Sequence, residues 1–121
     1  MANTFKVVTF AAEPNSAGTP YKMYTVASST TTVVLGLILT NIHSSAVTAE
    51  VELVSDTANR GGANDVANGT SFLVKDVSIP AGSSLELLSG GKVVLEATDE
   101  IKIDCSVADK LSGTLSIMEI T

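Results

Sequence analysis

Residues 72–120 decide the fold, and they read FLVKDVSIPAGSSLELLSGGKVVLEATDEIKIDCSVADKLSGTLSIMEI. Short apolar runs alternate here with turn signals, and no helical periodicity interrupts them. The turn signals are Pro80-Ala81-Gly82, Ser89-Gly90-Gly91, Ala97-Thr98-Asp99 and residues 109–113. Several short strands with regular turns are typical of a β-sandwich or barrel, so five strands are predicted at residues 72–79, 83–88, 92–96, 100–105 and 114–120. The Gly90-Gly91 pair, between two apolar pairs, predicts a hairpin turn.

The first half of the chain predicts four more strands, at residues 3–10, 22–26, 32–41 and 47–53. In residues 47–53 apolar side chains alternate strictly with Thr and Glu, which is the pattern of a strand with one face in the core and one in water. Residues 33–39 read VVLGLIL, and this continuous apolar run indicates burial on both faces of its strand. Gly36 within the run indicates a bulge or a close backbone approach.

These patterns together predict an all-β fold, an antiparallel β-sandwich of jelly-roll-like type with eight or nine short strands. The 121 residues suit one domain, which we place at residues 21–121, after an N-terminal strand and extended arm at residues 1–20. Val and Ile are frequent and 28 residues are Ser or Thr. This composition favours strands, because β-branched side chains suit a pleated, half-buried surface.

The formal charge of −6 comes from 13 acidic against 7 basic residues, spread along the chain. Without a basic stripe such a chain repels phosphate backbones, so nucleic-acid binding is not expected. The longest apolar stretch is far shorter than the ~20 residues of a membrane helix. The N-terminus lacks the pattern of a secretory signal. We therefore expect a protein that is made in a cytoplasm and has no membrane partner.

Residues able to carry chemistry are few. His43 is the only histidine, and its serine neighbours lack the Gly-x-Ser-x-Gly turn of a hydrolase. Asp99 and Glu100 are adjacent, so on a strand they point to opposite faces and do not form an acid and base pair. The single Cys105, in an alternating apolar run, predicts a buried thiol and leaves no thiolate cluster for zinc. The sequence predicts no enzyme, no metal site and no cofactor.

Two segments resemble a pattern in small virion structural proteins of tailed bacteriophages: IPAGSSLELL at residues 79–88 and KVVLEATDEIKI at residues 92–103. Residues 25–41 and the LSIMEI of residues 115–120 are similar to the same proteins. The chain departs from them at Thr98, where they often have Gly, and this departure concerns turn geometry. The resemblance implies a capsid decoration or cement protein of the virion, assembled in the host bacterial cytoplasm, or a component of the neck, tail or fibre base.

The resemblance implies partners rather than substrates. These are the major capsid protein or neighbouring virion proteins, and further copies of the chain, with a homotrimer suited to the three-fold positions of an icosahedral shell. We expect the N-terminal arm to supply contacts, because an extended segment adds to an exposed sheet edge. The polar loop at residues 55–71 is either a second contact or a surface loop that tolerates insertion. The candidate partner-binding residues are Phe5, Val7, Val8, Phe10, Pro14, Pro20 and Arg60.

The alternative outside the structural class is a receptor- or glycan-binding β-sandwich, as at the tip of a phage fibre. Such a module is expected to present aromatic platforms. The chain has no Trp and two Tyr, which counts against this alternative.

Overall fold

Two antiparallel sheets make up the part of the chain that the computed structural model describes, residues 2–55, 69–88 and 91–121. The strands are β1 Asn3–Glu13, β2 Tyr21–Thr25, β3 Thr31–Asn41, β4 Val47–Val54, β5 Thr70–Ile79, β6 Ser84–Leu87, β7 Val93–Leu95, β8 Glu100–Cys105 and β9 Leu111–Ile120. One sheet has the order β1-β9-β3-β6, with β7 also paired to β3, and the other has the order β2-β8-β4-β5. The predicted antiparallel β-sandwich is confirmed.

The strands β6 and β7 lie end to end along β3 rather than beside each other. Residues 37–40 of β3 pair with β6, and residues 32–34 pair with β7. Because both are antiparallel to β3, β6 and β7 run in the same direction and are not the two arms of a hairpin, so the hairpin prediction is wrong. Gly90 itself lies outside the described residues. The register between β3 and β9 shifts between Val34 and Gly36, which confirms the expected bulge. Counted as one interrupted strand, β6 and β7 leave eight strands in two sheets of four, the arrangement of a jelly roll.

The core lies between the two sheets and is mostly aliphatic. In β4 the predicted alternation is present, with Val47, Ala49 and Val51 buried. Cys105 of β8 is buried as predicted, and this burial is the main cause that raises the pKa of its thiol. Each fully buried Val, Leu or Ile side chain contributes about 1.5–3 kcal/mol relative to exposure. The largest fully buried side chains are those of Val26, Val34, Leu37, Leu39, Val51, Ile79, Leu95, Ile101, Ile103, Leu111, Leu115 and Ile117.

The strand β3 is covered on one side only, which corrects the expectation of burial on both faces. Val34, Leu37 and Leu39 are buried between the sheets. On the outward side Val33 is half-buried and Ile38 is 42% exposed. The apolar run at residues 33–39 thus has the composition of a strand covered on both sides, but the described part of the chain covers only the inner one.

Two of the predicted turns contain a residue with a positive φ that bears on stability, Gly82 and Thr98. At Pro80-Ala81-Gly82 the backbone N–H of Ser83 donates to the carbonyl of Pro80 at 3.0 Å, and Gly82 takes the positive φ of 71°. Thr98 also has a positive φ, of 72°, in the turn before β8. A β-branched residue is disfavoured in this left-handed region, so Thr98 costs stability where Gly would not.

Candidate interaction surface

The strand β1 forms one edge of the five-stranded sheet. It pairs with β9 from Asn3 opposite Ile120 onward, and among the described residues no other strand pairs with it. Residues 3–7 are exposed on both faces of the strand, with Phe5 at 71% and Val7 at 63% of their full accessible surface. Free backbone groups together with exposed apolar side chains make an edge strand prone to pair with another chain.

The second half of β1 is anchored in the core by Phe10. The Phe10 ring meets the Tyr21 ring edge-on, with 5.3 Å between the centroids. It also covers Gly113 of β9, where a Cβ atom would overlap the ring. Val8 packs against the core from the same side of the strand. Two of the candidate partner-binding residues, Phe10 and Val8, thus hold β1 to its own sandwich.

The other predicted contact residues are dispersed. Pro14 follows a cis peptide bond and is buried, and its carbonyl accepts a hydrogen bond of 2.8 Å from the backbone N–H of Asp109. Pro20 is half-buried immediately before β2. The segment between β1 and β2 is therefore folded onto the sandwich, whereas the sequence indicated an extended arm. Arg60, with most of the loop at residues 55–71, lies outside the described residues.

The outward side of the five-stranded sheet carries an apolar row across four adjacent strands. Phe5 of β1 is opposite Met118 of β9, and Met118 is also opposite Val33 of β3. Val33 is in turn opposite Val94 of β7, which is 60% exposed. Directly opposed residues share one face of a sheet, so their side chains are neighbours. We call Phe5, Met118, Val33 and Val94 the apolar ridge.

In the row beside the apolar ridge, two of the three residues, Ser116 and Gly36, have a small side chain or none. The neighbouring row consists of Val7, Ser116 and Gly36, in register across β1, β9 and β3. Apart from its chain neighbours Leu35 and Leu37, no residue has an atom within 4 Å of the position that a Cβ atom of Gly36 would occupy. Ile38, two residues further along β3, is exposed and bounds this depression on its other side. We call Ser116 and Gly36 the groove.

The outward sides of the two sheets differ in their content of charged residues. On the outward side of the five-stranded sheet, Glu86 is the one charged residue that the described strands present, with Lys92 and Glu96 just beyond the ends of β7. The outward side of the four-stranded sheet contains ion pairs between Lys75 and Glu50 at 2.9 Å and between Lys22 and Glu100 at 3.1 Å. An antiparallel sheet that faces water normally alternates core and polar residues, and only the four-stranded sheet does so with charge.

A polar cluster joins the two sheets at the end of β9, on the inner side of the sheet. The Oη atom of Tyr24 donates to Oε2 of Glu119 at 2.6 Å and lies 2.8 Å from Oγ1 of Thr32. The Nζ atom of Lys6 lies 2.6 Å from Oε1 of Glu119. The hydrogen bond from Lys6, followed by that from Tyr24, lowers the pKa of Glu119. The one cation in the exposed half of β1 is therefore paired.

Within the described ranges no group of three or more His, Cys, Asp and Glu residues could hold a metal ion. His43 is half-buried in the turn after β3, where its backbone N–H donates to Oδ1 of Asn41 at 2.7 Å. Asp104 is buried, and its Oδ1 accepts the backbone N–H groups of Gly18 and Cys105 at 3.2 and 2.8 Å. In the same part of the chain no helix has the length and apolarity to cross a membrane.

The apolar ridge was only partly visible in the sequence. Phe5 was identified from the alternation of β1, but Val33, Val94 and Met118 were not identified as surface residues. The signal for Val33 was the unbroken apolar run of residues 33–39, which was interpreted as burial inside the chain. Met118 and Val94 become neighbours only through the pairing of β9 and β7 with β3, which no local pattern encodes.

No protein-family model matches this chain, and no curated protein matches it significantly in sequence. Among solved structures the chain is similar to one described by the words "Bacillus endospore appendages form a novel family of disulfide-linked pili". The two are 16% identical, the match covers 99% of this chain and 87% of that chain, and the TM-score is 0.46. A likeness of this degree carries no argument about function.

Proposed function

We propose that this chain is a non-enzymatic structural subunit of a larger particle, attached through the N-terminal half of β1. The observation that carries the proposal is the exposure of Phe5 and Val7 on an edge strand whose residues 3–7 are uncovered on both faces. Pairing with the sheet edge of a neighbouring protein satisfies the free backbone groups of β1 and covers these two side chains. Full burial of each side chain contributes about 1.5–3 kcal/mol.

In its most specific form the proposal is a decoration or cement protein of a tailed-phage virion. It rests on the resemblance of residues 79–103 and 115–120 to such proteins. The jelly-roll arrangement suits this role without requiring it, because a fold alone does not define a function. The proposed partners are the major capsid protein or neighbouring virion proteins, and a position at the neck or tail is the second form.

Co-sedimentation of the purified protein with empty capsids and with isolated tails tests the proposal. The wild type is expected to sediment with capsids, and Phe5→Ser and Val7→Ser are each expected to weaken binding about tenfold. Phe72→Ser is a matched control, because Phe72 is 45% exposed on β5, the edge strand of the other sheet. Binding to tails instead supports the second form. Sedimentation with neither particle, or equal losses in the control, contradicts attachment through β1.

A second measurement separates cementing from mere attachment. Particles that lack this protein are expected to release their DNA at a lower temperature than complete particles, and purified protein added back is expected to restore the difference. Equal resistance to heating would contradict the cementing role and would favour the neck or tail.

A further inference from the structure

The outward face of the five-stranded sheet has the composition of an interface and no cover within the described chain. It contains the apolar ridge, the groove and Ile38, and its strands present one charged residue, Glu86. The apolar run of residues 33–39 has the pattern of a strand covered on both sides, and only its inner side is covered. The same face also carries Thr9, Thr114 and Thr40, so it is nearly uncharged rather than wholly apolar. Exposed apolar side chains grouped on one face mark interaction sites in soluble proteins.

We infer that this face packs against the same face of a second copy of the chain, sheet on sheet, about a two-fold axis. The inference rests on the proposed structural role and names the partner and the surface. In a two-fold contact the same patch serves both copies, so a patch must complement itself. The ridge and the groove lie in neighbouring rows about 7 Å apart, so the ridge of each copy fits the groove of the other.

Charge favours a second copy over other occupants. The charged side chains that carry most of the ion pairs lie on the far side of the other sheet, a further ~10 Å away, beyond the Debye length of ~8 Å at physiological salt. Two copies that meet by their uncharged faces therefore escape most of the repulsion between chains of charge −6. A basic partner would require several acidic residues on this face, and its described strands present Glu86 alone. An anionic membrane would require cations, which the described strands do not present on this side.

The area is sufficient for a specific but reversible contact. Four strands at ~4.8 Å spacing and about nine residues at ~3.4 Å give a face of about 600 Å² on each copy. The total of about 1,200 Å² stands at the lower limit of stable, specific interfaces. Buried area does not by itself set the dissociation constant, so the measurement below spans a wide concentration range.

Sedimentation equilibrium of the purified chain across a range from about 1 to 500 µM tests the inference, with dimer mass expected at the upper end. Val94→Lys places an unpaired charge on the ridge and is expected to weaken dimerisation at least tenfold. Because Val94 is 60% exposed, the fold tolerates this change, and the melting temperature checks that it does. Ser78→Lys adds the same charge to the outward side of β5 and is the matched control, with no change expected.

Gly36→Leu distinguishes a contact that depends on shape complementarity from non-specific apolar association. It makes the face more apolar, yet it fills the groove, so it is expected to weaken dimerisation, whereas non-specific association would strengthen. Beyond its chain neighbours the space for a Cβ atom is open at Gly36 and its φ is not positive, and the melting temperature of Gly36→Leu checks that the fold accepts the larger side chain. A monomer at every concentration, a trimer, or unchanged dimerisation in Val94→Lys would overturn the face-to-face contact. A dimer sensitive to Phe5→Lys but not to Val94→Lys would also overturn it, in favour of pairing through the β1 edge. Phe5 belongs to both proposed contacts, so Val94→Lys, which leaves β1 unchanged, separates them. This variant is expected to lose dimerisation and to keep its co-sedimentation with capsids.

Discussion

Tyr24 of β2 and Glu119 of β9 join the two sheets through a hydrogen bond of 2.6 Å between the phenol Oη and the carboxylate Oε2. The other oxygen of Glu119 pairs with Lys6 of β1 at 2.6 Å. One carboxylate therefore connects the edge strand, its neighbour and the opposite sheet. Hydrogen bonds to a charged group contribute about 1.5–3 kcal/mol each, more than neutral ones.

Low pH is expected to lower the free energy of unfolding, in part through protonation of Glu119. Its pKa is lowered in the folded state, so its contribution to stability is present above the ordinary value of 4.5 and is lost as the pH falls through the folded pKa. Urea unfolding of Glu119→Gln should show a loss of about 1–3 kcal/mol at pH 7. It should also show a smaller further loss from pH 5 to pH 3 than the wild type. Glu86→Gln, at an exposed carboxylate of β6, is the control, and parallel pH curves for wild type and Glu119→Gln would contradict the role of Glu119.

High pH is expected to lower the stability of the protein through Tyr24, the hydrogen-bond partner of Glu119. Burial first, and then the bond to Glu119, raises the pKa of Tyr24 to about 12 from 10.0. The stability that this shift represents is present below pH 10 and is lost as the pH rises toward 12. Titration of tyrosinate absorbance near 295 nm should show a late step that is absent in Tyr24→Phe. A late step that persists in Tyr24→Phe would assign it to Tyr21.

Gly113 of β9 is expected to tolerate no side chain, because a Cβ atom there would overlap the ring of Phe10. Gly113→Ala should lower the free energy of unfolding by about 1–3 kcal/mol, the usual cost of overpacking. Gly36→Ala is the matched control, since the space at Gly36 is open, and its effect should be smaller. In a Phe10→Ala background the added cost of Gly113→Ala should nearly vanish. Additive losses in the double variant would show that the ring is not the obstacle.

Thr98 is expected to be a position where glycine improves the protein. Its φ of 72° disfavours any Cβ atom, and removal of that atom should outweigh the greater chain entropy of Gly in the unfolded state. Thr98→Gly should raise the free energy of unfolding by roughly 0.5–1 kcal/mol. Thr98→Ala keeps the Cβ atom and should bring no comparable gain. If Ala gains as much as Gly, the hydroxyl or the branch is the cause, and backbone strain is not.

The sequence predicted the strands because alternation and turn residues are local signals. All nine predicted segments are strands, and β4 shows the period of two that its sequence indicated. The hairpin at Gly90-Gly91 was wrong because pairing of β6 and β7 with β3 depends on residues about fifty positions away. A local sequence pattern cannot distinguish two strands that pair with each other from two short strands that pair, one after the other, with the same third strand.

The candidate surface was predictable only where local alternation along one strand determines exposure. The exposure of Phe5 and Val7 follows from the alternation within β1, together with its position at the sheet edge. The burial of Phe10 depends on Gly113, which is about a hundred residues distant and leaves room for the ring. The apolar ridge depends on register across four strands, so local patterns could not assemble it.

Because Cys105 is buried, the rate at which its thiol is labelled reports how often the native sandwich opens. It is the only sulfhydryl of the chain, and it is shielded in β8. A thiol reagent therefore modifies the native protein only when the sandwich opens, and the labelling rate measures how often that happens. Any contact with another copy or with a particle that stabilises the sandwich is expected to lower the labelling rate of Cys105. The measurement needs no engineered cysteine. The same shielding keeps this thiol from forming a disulfide between native copies of the chain.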